Sequence, residues 1–209
     1  MNNMNVNNWL KYGEQELRGS DILFDCLHVA ILSFFYNLFR FAHITVKVMD
    51  IVTLVLFLFL GFRAKGKKVC LDSFLYRGVA NMAIAIRYYM FSWLFLVYSG
   101  ADPGIISAIY TILFIALSIW YGWLTKRNVS KNVFSGEHKS SAGWAGSLGA
   151  TLSVSLCPIL FSNVKQNSAY IIIAICTLFL GAGMQCAIIS LFKFAFLLKQ
   201  NHKSKITQK

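Results

Sequence analysis

Acid is what this sequence has least of. Eight Asp and Glu stand among 209 residues, against 20 Lys and Arg, and charged residues of both signs make up only 13%. A soluble domain would carry about a quarter charged residues. So few acids argue against an enzyme acting on lipid substrates, which needs carboxylates or histidines gathered near one face for proton transfer. Histidine is nearly as sparse: the four present form no HExxH or HxxxH pattern, so neither a metal nor another cofactor is expected. The five cysteines, Cys26, Cys70, Cys157, Cys176 and Cys186, include no CxxC. All but Cys70 lie in apolar runs and read as packing residues, not as a disulfide framework or a metal site. The first twenty residues lack a basic start followed by an apolar core, so no cleavable signal is expected. Patterns typical of RNA or DNA binding are also missing, so the net charge of +12 does not imply a nucleic-acid partner.

Hydrophobic residues are abundant, at 57%. Apolar excess with little charge points to lipid as the solvent. Four segments are long enough to span a hydrocarbon core: Gly78 to Tyr98, Ile105 to Leu124, Gly143 to Phe161 and Ser168 to Leu198. Each is expected to be helical, because backbone in lipid must satisfy its own hydrogen bonds. The polar run Ser99 to Gly104 is a turn signal, and 126–141 is a longer basic link. The fold class is therefore an all-α, polytopic transmembrane helical bundle. Its parts are a polar N-terminal segment (1–21), a transmembrane domain (22–198) and a basic tail (199–209).

The basic residues give the orientation. Arg63, Lys65, Lys67, Lys68 and Arg77 share one link; Lys126, Arg127, Lys131 and Lys139 share another; Lys199, Lys203, Lys205 and Lys209 lie in the tail. The alternate links hold only Lys165. The basic side, with the C-terminus, is expected to be cytoplasmic. The short external links fit a bacterial inner membrane, and anionic lipids are expected neighbours.

The region from Ile22 to Phe62 allows two readings. Asp25, His28, Arg40, His43, Lys47 and Asp50 interrupt its apolar residues and, at 100° per residue, fall on one helical face. In one reading, two antiparallel helices cross here, giving six crossings in all. In the other, a single long helix lies in the interface with its polar stripe wet, then crosses once, giving five. Six crossings are preferred.

Arg87 stands out, because a charge in mid-span needs a partner or water. At 1.5 Å per residue it lies about 15 Å from the basic face, and Asp50 lies about 20 Å from it. Asp50 is thus the first candidate partner and Asp25 the second. Lys47, one turn from Asp50, is an alternative neutraliser. His28 and His43 share the stripe with these carboxylates, and Gln185 also wants a partner within the bundle. Together these six residues, Arg87, Asp50, Asp25, His28, His43 and Gln185, form the candidate intramembrane polar network. Small residues at four-residue spacing, among them Gly143, Gly146, Ser147 and Ala150, suit close helix packing, as do Gly183 and Ala187 in the last segment. Ser147 has no histidine in the last two segments to act as its base, so a serine protease is not expected.

Two functions follow as expectations. The first is a non-enzymatic membrane protein of regulatory, immunity or exclusion type, which binds another membrane protein or a second copy of itself. The alternative is a small-solute transporter, channel or substrate-binding subunit with a polar midplane site around Arg87.

Overall fold

The computed structural model describes residues 3–11, 16–38, 44–67, 69–131 and 166–207. Among them helix is the regular structure and no strand occurs. The helices are α1 (Asn3–Lys11), α2 (Gly19–Leu38), α3 (Ile44–Ala64), α4 (Leu71–Tyr98), α5 (Pro103–Ser130), α6 (Gln166–Gln185) and α7 (Ile188–Thr207). The predicted segment Gly143 to Phe161 lies outside the described residues, as does His43.

Among the described residues three helices are long and apolar enough to cross a membrane: Leu71–Tyr98, Pro103–Ser130 and the continuous stretch Asn167–Gln200, which joins α6 to α7. The chain thus has the helices an integral membrane protein requires. Helices α2 and α3 fall outside that set. The first carries Asp21 and Asp25, and the second carries Lys47, Asp50 and Arg63.

Local chemistry explains where the helices begin and end. Asp102 caps α5 by accepting from the Ile105 amide at 2.8 Å, with Pro103 in the first turn where no amide is needed. Gly100, at φ 96°, supplies the left-handed residue that the turn between α4 and α5 requires. Gly66 does the same after α3, at φ 74°.

The α2–α3 region resolves into two antiparallel helices, not one continuous helix. The Gly66 amide donates to the Leu17 carbonyl at 3.0 Å, so the start of α2 adjoins the end of α3. Deeper in, Gly61 lies against Ile22; a Cβ there would sit 2.8 Å from Ile22 Cγ2. Of the stripe, Asp25, His28 and Asp50 find partners on α4; Lys47 is exposed, and Arg40 lies outside the described residues together with His43.

Helix α4 is the hub, packed against α2, α3, α5, α6 and α7, and most extensively against α6. Glycine permits the closest approach. A Cβ on Gly78 would lie 2.4 Å from Leu191 Cδ2 of α7, and one on Gly181 would lie 3.3 Å from the Ala85 carbonyl oxygen. Gly183, expected to pack, is exposed, and among the described residues nothing lies within 4 Å of its Cβ position. Ala187 sits in a two-residue turn with Cys186. There the Ala187 amide donates to the Met184 carbonyl at 3.1 Å, an i→i−3 bond that tightens the junction of α6 and α7 where a regular helix was expected.

The expected basic side forms one end of the bundle. Arg63 and Lys67, from the end of α3, both reach Asp72 at the start of α4, at 3.1 and 2.8 Å. Phe74 of α4 clusters with Val129 of α5 and with Phe194 and Leu197 of α7. The polar N-terminal segment contributes here too: Val6, Trp9 and Leu10 of α1 are buried in the same cluster.

Candidate functional site

Four polar pairs tie α2, α3 and α6 to the hub, and the last of them reaches α5 as well. Arg87 Nη2 lies 2.7 Å from Asp50 Oδ1, the partner that depth arithmetic ranked first. Both side chains are largely withdrawn, at 12% and 15% exposure. Arg87 Nη1 also donates to the Ala83 carbonyl one turn back, at 3.2 Å. Its Nε is buried and has no hydrogen-bond partner among the described residues. In hydrocarbon such a pair neutralises two charges that would each be costly alone.

Asp25, the second-ranked partner, is engaged elsewhere: it accepts from the Tyr76 hydroxyl at 2.7 Å. His28, fully buried, bonds through Nε2 to the Tyr88 hydroxyl at 2.8 Å. Its ring also stands edge-on to Phe24, with centroids 6.1 Å apart.

Gln185 has a complete set of partners. Its Oε1 accepts from Tyr89 at 2.7 Å; its Nε2 donates to the Phe114 carbonyl at 2.7 Å and to Ser118 Oγ at 2.8 Å. One amide therefore joins α4, α5 and α6. Tyr121 adds a bond from α5 to the Ala182 carbonyl, at 2.9 Å.

Asp25, His28, Asp50, Arg87 and Gln185 are thus all bonded between helices, but as separate pairs, not as one network. His43, Gly143, Gly146, Ser147 and Ala150 lie outside the described residues. Among the described residues no three His, Cys, Asp or Glu side chains converge as a metal would need.

Sequence reasoning missed the tyrosines. Tyr76, Tyr88 and Tyr89 stand in or beside an apolar run and read as apolar, yet their hydroxyls hold the polar residues of α2 and α6. A hydroxyl in mid-span requires a partner just as an amide does, and that was the available signal.

Two hollows flank Ile86 and Met90 of α4. One, of about 170 Å³, lies between α2, α3 and α4 beside the Arg87–Asp50 pair. The other, of about 440 Å³, is an open trough between α4 and α5. Beyond it, the outer face of α5 is apolar. Ile105, Ile109, Ile112, Ala116, Ile119 and Trp123 follow one another at alternating steps of four and three residues, and all are exposed among the described residues. No protein family, curated protein or solved structure matches this chain.

Proposed function

We propose that this protein is a non-enzymatic integral membrane protein that acts by binding another membrane protein through its outward helix faces. The observation that carries this reading is the pairing of the polar groups between helices. Asp25, His28 and Gln185 each hydrogen-bond a neighbouring helix of the same chain, and Arg87 pairs with Asp50 of α3. A solute pathway would need such groups turned toward a shared cavity, as intramembrane polar residues are in transporters. Here they act as glue between helices.

The outer stripe of α5 supplies the binding face. Steps of four and three residues repeat with the seven-residue period that lets one helix pack along another. β-Branched isoleucine suits it, because a side chain already restricted in χ1 loses little freedom on docking. In the same reading the chain crosses a bacterial inner membrane six times, with both ends cytoplasmic. The antiparallel α2–α3 pair and the gathering of basic residues at one end support that topology. Anionic lipids would line the basic end.

Native mass spectrometry on protein extracted gently from its own membranes tests the reading. The expected result is a stoichiometric complex with a second membrane protein or a defined homo-oligomer. A monomer that carries only a small molecule, and loses it in Arg87→Ala, would replace this reading with the transport or solute-binding alternative.

A further inference from the structure

The hollow beside Arg87 and Asp50 is not required for partner binding, and its chemistry is specific. Its volume of about 170 Å³ is close to that of an engineered apolar cavity known to take up benzene, about 150 Å³. Of its lining, Met49 and Ile86 are 58% and 46% exposed, and we take them as its mouth. Those two residues lie on the flank of α3 and α4, about 14 to 21 Å from the basic end at 1.5 Å per residue. In the six-crossing arrangement this is hydrocarbon, so an occupant arrives from lipid and must be apolar overall.

Inside, Met49, Met90 and Phe91 line the wall. Thioether sulfur and a phenyl ring both make favourable contacts with a second aromatic ring. The polar part of the lining is the ion pair itself, with Thr53 and Ser33 beside it. The Thr53 hydroxyl donates to the Met49 carbonyl at 2.7 Å, which leaves its oxygen as an acceptor. The pair is neutral as a unit, and an added ion would bring an uncompensated charge into lipid. A neutral group bearing oxygen fits. It accepts from the guanidinium, which carries five N–H donors, or donates to the carboxylate, which only accepts.

We propose that this cavity binds the ring of a bilayer-soluble quinone or quinol, with its tail leaving through the Met49–Ile86 mouth. The quinone form uses the Arg87 donors; the quinol form can also donate to Asp50. The proposal concerns binding and includes no electron transfer.

Photolabelling of the purified full chain in lipid nanodiscs with an azido-benzoquinone carrying a decyl tail tests it. Expected is saturable labelling, one per chain, on peptides containing Met49–Thr53 or Ile86–Phe91. Unlabelled decylbenzoquinone should compete, and decylbenzene, which lacks the oxygens, should compete at least about tenfold more weakly, a difference of about 1.4 kcal/mol. Thr53→Phe, which fills the cavity, should cut labelling at least about tenfold with the melting temperature retained. Met49→Trp, at the exposed mouth, gives the same test without entering the packed interior. Labelling that does not saturate, that both variants leave unchanged, or that decylbenzene blocks as well as the quinone does, would overturn the proposal. The measurement uses partner-free protein, so its failure leaves the partner-binding reading standing.

Discussion

Helices α4 and α5 have the same length, 28 residues, and opposite fates. Half of the apolar window of α4 is buried, against 6% for α5. The more polar helix is the buried one. Helix α4 carries Arg87 and the hydroxyls of Tyr76, Tyr88, Tyr89 and Ser92 within its span; α5 from Ile105 to Leu124 carries no charge. In water this ordering would be reversed. In lipid, apolar side chains gain nothing by leaving the solvent, so burial is set by groups that need partners and by residues small enough for close contact. Gly78 and Gly181 supply that contact at α4, while isoleucines spread over the outer face of α5.

The contrast can be broken first at its most costly point. Arg87→Ala leaves Asp50 buried without its partner and should destabilise the fold by about 3–5 kcal/mol. Arg87→Leu combined with Asp50→Leu should be far less harmful than that single change. Equilibrium unfolding in mild detergent measures both, and single and double variants equal in cost would show that the pair is uncoupled. Next is Gly78→Leu, which places a side chain where Leu191 already sits. A loss of about 1–3 kcal/mol is expected, read as a lower melting temperature. Gly183→Leu, at an exposed position, should change it little; equal losses at both positions would dissolve the distinction between the two glycines.

Gln185→Leu removes the amide that joins α4, α5 and α6. The expected loss is about 0.6–1.7 kcal/mol, the range for interhelical hydrogen bonds in lipid, measured by the same unfolding assay. Tyr89→Phe should give part of it. The smallest effect belongs to Ile112→Leu on the outer stripe of α5, where volume and polarity are kept; stability should stay within about 0.5 kcal/mol.

Much of this was readable from the residues. Length and apolar runs gave α4, α5 and the α6–α7 stretch, and the gathering of Lys and Arg gave the shared basic end, because bilayer thickness and charge placement act on sequence directly. Depth alone brought Arg87 to Asp50. What depth cannot supply is azimuth. Asp25 lay at a reachable depth for Arg87 too, yet its helix turns it to Tyr76, and that rotation depends on how α2 packs against α4. The same holds for Gly181 and Gly183, which differ by 200° around one helix at 100° per residue, so that only the first meets α4. The burial of Val6, Trp9 and Leu10 was hidden because α1 is short and Asn-rich, and its apolar side chains matter only once Phe74, Phe194 and Leu197 form a surface for them.

The central claim is that α4 closes its polar groups inward while α5 offers its outer face to a partner. The most direct measurement places a photo-crosslinking residue, one position at a time, from Ile105 to Trp123 in native membranes. The account predicts a crosslinked membrane-protein partner, or a second copy, at Ile105, Ile109, Ile112, Ile119 and Trp123, and none at the inward positions Phe114 and Ser118. Crosslinks that join α5 only to its own chain, or that reach lipid alone with no seven-residue period, would contradict it.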